Sequence, residues 1–360
     1  MKIAFLSFYN GQVNRGVETV VNELAKRLSE MNDVTVLQSA SNSFDTKYKV
    51  KVYTTKINWK IKDKATSLRR RLFIDYWSIK IALFTLRTIP KILKERFDVV
   101  IPFNGGWQVA LIRITTWLYG GKMVISGQTG MGWDEKNNLW SLPNTFVALS
   151  QTAKEWSKKV NPLVKSIQIS NGVDINKFKP YGEKFETKLK KPTVLAVGAF
   201  TEQKRMDLAI KAVAKLKDVS LLLVGGGGDL KEKLAEEGNK LLGDRFEITS
   251  VPYSEMPKVY RAADIFTLPS RPSEAFGNVL VEAMASGLPV IATNDPIRLE
   301  IVGNGGILVD PVNTVEYAKA LQKALGEDWD GNPRKQAENF SWELVTRKYE
   351  ELFKDLIKKE

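Results

Sequence analysis

The chain has 360 residues, enough for two domains of ordinary size, with the 43% hydrophobic and 26% charged content of a soluble globular protein. It contains no Cys and no His, which excludes disulfides, thiolate and imidazole metal sites and Ser-His-Asp hydrolysis. The net charge of +13 is lopsided: residues 1–180 carry 28 basic and 13 acidic side chains, residues 181–360 carry 26 and 28. The excess is densest from Lys47 to Arg96, with 15 basic and 3 acidic residues. It points to an acidic partner for the first half.

In chain order, Met1–Phe8 is too short and too soon polar for a secretory signal and reads as a first buried strand. No run of 18 apolar residues occurs, so no membrane span is expected and the default location is cytoplasmic. Further strands are expected at Val34–Gln38, Val99–Pro102, Met123–Ser126, Phe146–Leu149 and Ser166–Ile169. A second series runs through Thr193–Gly198, Ser220–Val224, Phe246–Thr249, Ile265–Leu268, Val290–Ala292 and Gly306–Val309. Helical periodicity separates them, the pattern of parallel α/β sheets. Tyr181–Lys191 is Lys-rich with few large apolar residues and reads as a linker. The expected organisation is residues 1–175 and 176–340 as two Rossmann-like domains facing a central cleft. A last helix from Ser341-Trp342 has Ser as a plausible N-cap. Arg69–Phe84 joins basic, aromatic and aliphatic residues. It fits a core-facing helix with a solvated edge or an interfacial helix on an anionic membrane.

The densest motif is Ser270-Arg271-Pro272-Ser273-Glu274-Ala275-Phe276-Gly277-Asn278, continued by Val279–Glu282 and Ala283-Met284-Ala285-Ser286-Gly287-Leu288-Pro289-Val290. Pro and Gly punctuation places Glu274 in a loop after an apolar strand. A short helix then begins near Asn278 and stops at Gly287, which suits a left-handed cap. Its free N–H groups would seat a phosphate, with one carboxylate on either side to bind hydroxyls. That is the shape of a nucleotide-sugar.

The segment resembles the Glu-x7-Glu signature of the family 4 retaining glycosyltransferases, which have the GT-B fold. The resemblance implies that Glu274 binds donor sugar hydroxyls, Glu282 binds the ribose, and the amides of Ala275, Phe276, Gly277, Asn278 and Val279 hold the diphosphate. Ser170-Asn171-Gly172-Val173-Asp174 through Phe178-Lys179-Pro180 is similar to the family's domain-junction segment and reads as a turn. In Val197-Gly198-Ala199-Phe200-Thr201-Glu202-Gln203-Lys204-Arg205, Gly198 and Lys204 fit the family's diphosphate loop. Ala199 stands where an Arg is usual, and Arg205 is the neighbour that could replace it. Gly16 in Arg15-Gly16-Val17-Glu18 matches one of two phosphate-loop glycines. Val251 ends the strand where the nucleobase stacks.

Many members place a His near the sugar, where this chain has Gly127-Gln128-Thr129-Gly130-Met131-Gly132-Trp133-Asp134. Gln128 can supply a hydrogen bond in its place, and Asp134 is the candidate for orienting the acceptor hydroxyl. The resemblance further implies front-side substitution, in which the departing phosphate takes the acceptor's proton, and a last helix packed on the first domain. No cofactor or metal is expected. The expected partners are a nucleotide-sugar, a glycan or lipid-linked acceptor and an anionic membrane surface along residues 47–96, with no nucleic acid. A nucleotide-sugar epimerase and a non-catalytic nucleotide-sugar or glycan binder are the alternatives. Ala199, Arg15 and the missing His keep the binder open.

Overall fold

The computed structural model describes residues 1–13, 15–41, 46–59, 61 and 65–358. The chain divides into two units, Met1–Ser170 with Val345–Glu360 and Asn171–Leu344. Each is a parallel sheet clothed in helices.

In the first unit the strands are β1 (Lys2–Ser7), β2 (Asp33–Gln38), β3 (Lys49–Val52), β4 (Val99–Pro102), β5 (Lys122–Ser126), β6 (Thr145–Ala148) and β7 (Ser166–Gln168). They lie in the order β3-β2-β1-β4-β5-β6-β7, all parallel. The helices are α1 (Gly16–Leu28), α2 (Ser67–Arg71), α3 (Tyr76–Glu95), α4 (Trp107–Tyr119), α5 (Trp133–Trp140) and α6 (Gln151–Val160). Strands such as β1 bury nearly every residue because helices cover both faces, so they read as continuous apolar runs. The exception is β3, Lys-Val-Lys-Val on the sheet edge, which stays largely exposed and was not expected from sequence. An edge strand needs only one neighbour and tolerates lysines.

The second unit repeats the plan with β8 (Thr193–Val197), β9 (Ser220–Val224), β10 (Phe246–Thr249), β11 (Ile265–Leu268), β12 (Val290–Thr293) and β13 (Gly306–Val309). Their order is β10-β9-β8-β11-β12-β13, again parallel. Its helices are α7 (Met206–Val213), α8 (Lys231–Leu242), α9 (Met256–Ala262), α10 (Asn278–Ala285), α11 (Pro296–Val302), α12 (Thr314–Gly326) and α13 (Asn332–Glu338). Finally α14 (Trp342–Lys358) starts in this unit and from Val345 belongs to the first, where Tyr349 donates to Ser126 Oγ at 3.2 Å.

Two expectations change. The Tyr181–Lys191 stretch lies within the second unit and is stitched to it. There, Phe185 N donates to Lys258 O at 3.0 Å, Arg261 Nε to Glu183 O at 2.7 Å, and Thr187 Oγ1 to Glu247 at 2.7 Å. Backbone carbonyls and a small hydroxyl help hold it although large apolar residues are few. The basic stretch Arg69–Phe84 is likewise not one interfacial helix. It breaks between α2 and α3, where Phe73 has φ +54° and Asp75 caps α3 by accepting from Trp77 N and Ser78 N, both 3.1 Å. Phe84 faces the core, fully buried against Phe8 and Tyr53. Lys60, Lys62, Asp63 and Lys64 of the 47–96 surface lie outside the described residues.

Candidate active site

Strand order decides where to look. In the second sheet the order reverses beside β8, whose neighbours β9 and β11 lead away in opposite directions. Ligands of such sheets bind beyond the strands' carboxyl ends at that switch point. The loops leaving β8 and β11 carry Lys204 and Glu274, seventy residues apart in sequence. Here they meet, with Lys204 Nζ 2.6 Å from Glu274 Oε2 and both side chains about a fifth exposed (19% and 21%). A partly wet pair of this kind adds little stability, so its content is geometric. The ammonium keeps two more donors for an anion, and the carboxylate keeps lone pairs for hydroxyls. The stem of Lys204 runs past Gly198, where a Cβ would sit 3.4 Å from its Cδ and Cε.

After Glu274 the chain turns into α10 through Gly277 at φ +86°, a conformation that glycine adopts without cost. From Ala275 to Val279 the backbone N–H groups donate to no described residue. They head the eight-residue helix α10, where aligned peptide dipoles favour an anion. Phe276 is buried edge-on to Phe340, and Asn278 Oδ1 accepts from Asn171 Nδ2 at 2.9 Å. Thus the Asn171-Gly172 turn, given no chemical role above, steadies the start of α10.

One turn inside α10, Glu282 is buried at 7% exposure. Tyr253 donates to its Oε1 at 2.9 Å and Tyr260 to its Oε2 at 2.8 Å. Burial pushes this carboxyl up to about 7. The Tyr260 bond, the Tyr253 bond and the charge of Lys177 pull the other way. Each oxygen has a second lone pair free to accept from a ligand hydroxyl. Lys177 Nζ stands 4.1 Å over the Tyr253 ring, which is half-buried beside Val251 beyond β10. The sequence did not single out Tyr253, in the turn before α9, or Tyr260 inside it; a tyrosine carries little signal until its partner is known.

The comparisons bear on this unit most. The family model of glycosyl transferases group 1 matches residues 178–341. D-inositol 3-phosphate glycosyltransferase of Corynebacterium kroppenstedtii is 30% identical over 217 residues, 52% of this chain and 48% of that protein. Phosphatidyl-myo-inositol mannosyltransferase of Mycolicibacterium smegmatis is 29% identical over 215 residues, 56% and 54% of the two chains. The chain thus matches about half the length of these curated relatives. Residues 178–341 are similar to the group 1 glycosyl transferases. Both units together have the GT-B fold. Anabaena HepE in complex with UDP and glucose superposes with a TM-score of 0.75 at 20% identity, over 98% of this chain and 99% of that one. Sucrose-phosphate synthase from Thermosynechococcus elongatus gives 0.78 at 20%, over the whole of both chains.

Within this unit two arginines hold the Glu274 loop from behind. Arg205, expected beside the diphosphate, turns part of its guanidinium to this loop. Its Nε donates to Pro269 O at 2.7 Å, and its Nη2 to Ser270 O at 2.9 Å and Thr293 Oγ1 at 3.3 Å. It enters α7 at φ +47°, turning the guanidinium toward the end of β11. Arg298 of α11, passed over in the sequence, is fully buried and donates to the same loop. Its signal is present in Pro296-Ile297-Arg298-Leu299-Glu300-Ile301-Val302. Helical spacing puts Arg298 with Ile297, Ile301 and Val302 on the buried stripe. Close packing explains Gly225 and Gly228 in the turn after β9: a Cβ there would meet Gly198 O at 1.9 Å and Phe200 O at 2.2 Å.

The remaining expected residues lie at the carboxyl edge of the first sheet. Gly16 opens α1 behind Arg15, whose backbone N–H donates to Glu18 at 3.2 Å and whose guanidinium lies 4.8 Å over the Tyr9 ring. Gln128 Nε2 donates to Ser126 Oγ at 2.8 Å. The loop beyond it is pinned by buried Glu135, which accepts from Thr129 N and Thr129 Oγ1, both 2.9 Å. Asp134 lines a cavity of about 430 Å³ with Arg70, Phe73, Asp75, Trp77 and Ser78. Desolvation, then the charge of Asp75, raises its carboxyl above the ordinary range.

Proposed function

We propose that the protein is a retaining family 4 glycosyltransferase that moves a sugar from a nucleoside-diphosphate sugar to an acceptor hydroxyl of a glycan or lipid-linked glycan. The observation that carries the reading is the Lys204–Glu274 pair at the switch point, beside the undonated amides of Ala275 to Val279. Lys204 and the start of α10 would stabilise charge on the departing diphosphate, the largest electrostatic demand of the step. Glu274 would fix the sugar by its hydroxyls, and Glu282 the ribose.

Front-side substitution suits a chain without His. The glycosidic C–O bond to the diphosphate breaks as the acceptor oxygen forms its own bond on the same face, and the leaving phosphate oxygen takes the proton. No metal is required where Lys204 and the amides meet the diphosphate. The cavity at Asp134, with two indole or phenyl faces and two carboxylates, supports an acceptor sugar subsite: aromatic faces stack on sugar rings, and carboxylates accept from hydroxyls. The basic excess of residues 47–96 and the exposed Leu68, Leu72, Ile79, Leu83 and Leu86 support contact with an anionic membrane surface during polysaccharide synthesis. The test is product stereochemistry: NMR of the sugar transferred from an α-linked donor shows an α product, and a β product rejects the retaining mechanism.

A further inference from the structure

Arg298 is the largest fully buried side chain among the described residues. Asp295 caps α11 through bonds from Ile297 N at 3.0 Å and Arg298 N at 3.1 Å, and its Oδ2 accepts from Arg298 Nη1 at 2.9 Å. That single carboxylate balances the charge. Every other partner of the guanidinium lies in one short loop. Nη2 donates to Ser270 Oγ at 3.1 Å and Arg271 O at 3.2 Å; Nη1 makes longer contacts to Glu274 O at 3.4 Å and Pro272 O at 3.5 Å. Nε has no partner among the described residues.

Burying a guanidinium is expensive, and apolar residues of similar volume commonly fill such a place at no loss of stability. Stability alone therefore does not account for this arginine. Its planar fork does what an apolar residue cannot: it gathers polar groups that Ser270–Glu274 turns away from any sheet partner. Arg205 holds the upstream end of the same loop at Pro269 O and Ser270 O. Gln203 O accepts from Arg271 N at 2.9 Å. Glu274 is the last residue of the braced segment, and its own N–H donates to Arg271 O at 3.1 Å. The guanidinium hydrogen bonds of Arg298 to described residues do not include Glu282, Tyr253 or Tyr260.

We propose that Arg298 is a positioning residue for Glu274: it sets the loop that aims the sugar-binding carboxylate and leaves the nucleotide half of the site alone. The proposal rests on Glu274 binding the donor sugar. It separates turnover from nucleotide affinity, because a displacement of about 1 Å at the reacting centre costs on the order of 100-fold in rate.

The experiment uses the full chain as Arg298→Lys, which keeps the charge and loses the fork, and Ser270→Ala, which removes one neutral partner. UDP, GDP and ADP affinities are measured by calorimetry, turnover with the corresponding nucleotide-sugars, and backbone exchange of the peptide over 270–277 by deuterium uptake. The expected result for Arg298→Lys is a 10- to 100-fold lower turnover. Nucleoside diphosphate affinity should stay within about twofold, exchange over 270–277 should be faster, and Glu274→Ala should lose nothing further when combined with it. If Arg298→Lys does not fold, Ser270→Ala must show the same split at smaller size. Wild-type turnover and exchange in the folded variant, a parallel loss of nucleotide affinity, or additivity with Glu274→Ala overturns the brace. If the wild-type protein turns over no donor, the functional reading fails and deuterium uptake over 270–277 alone judges the brace.

Discussion

The two sheets share a plan and differ at their carboxyl edges. In the second unit the loops after β8, β11 and β12 are bound to one another: Arg205 and Gln203 reach the β11 loop from one side, Thr293 and Arg298 from the other. In the first unit the described ties are scattered single bonds, as where Phe8 N donates to Asn104 Oδ1 at 2.8 Å and Trp133 Nε1 to Arg71 O at 3.2 Å. There Trp59, Trp107 and Trp133 are about half exposed (50%, 49% and 53%). A backbone fixed by buried donors suits a ligand of constant chemistry such as a diphosphate. Half-exposed aromatic side chains suit a ligand that differs from relative to relative. The matched family segment, confined to residues 178–341, follows the same division.

That contrast can be broken most sharply at Glu274. Glu274→Ala should lower turnover by about 100-fold while nucleoside diphosphate affinity holds, because the loss is one of aim; steady-state kinetics beside calorimetry decides it, and unchanged kinetics would remove Glu274 from the site. Lys204→Met should weaken nucleoside diphosphate binding by about 1.5–3 kcal/mol, the worth of a charge-assisted hydrogen bond, with equal affinity contradicting a diphosphate contact. Glu282 titrates near 7 in the folded chain against 4.5 in its ordinary setting. The folded state therefore binds the extra proton, and stability should fall as pH rises from about 4.5 to 7 and level off above. Denaturant melts of wild type against Glu282→Gln isolate that slope, which the variant should lack. Smallest is the first unit's effect: Arg69→Ala should weaken binding to vesicles containing anionic lipid by about 1 kcal/mol, roughly fivefold, and added salt should erase the difference. No binding to such vesicles at low salt would end the membrane reading.

Much of the fold was legible because parallel strands buried on both faces announce themselves as apolar runs, and Asn278 and Gly287 marked the ends of α10. The edge strand β3 was hidden by its lysines, and the α2–α3 break by the absence of Gly or Pro at Leu72–Ile74. In the site, Glu274 and Glu282 stood out through Pro, Phe-Gly and Gly punctuation around them. What they touch did not, because partnership is a tertiary property. Nothing in sequence ties Lys204 to a carboxylate seventy residues on, or Tyr260 to Glu282. The direction of Arg205 was hidden for a related reason: position along a loop says nothing of aim, and its left-handed backbone turns it to the carbonyls of Pro269 and Ser270 just past β11. Arg298 was readable in principle, as a charge on a helix stripe otherwise apolar.

The central claim is that Lys204, Glu274 and the start of α10 form a nucleotide-sugar site. Its most direct test is calorimetric titration of the full chain with UDP-glucose, GDP-mannose and ADP-glucose, repeated on Lys204→Met/Glu274→Ala. One donor should bind saturably to the wild-type protein and at least tenfold more weakly to the double variant, through the lost charge-assisted contact. Equal binding of that donor to both proteins, or binding of none of the three to the wild type, would contradict the account.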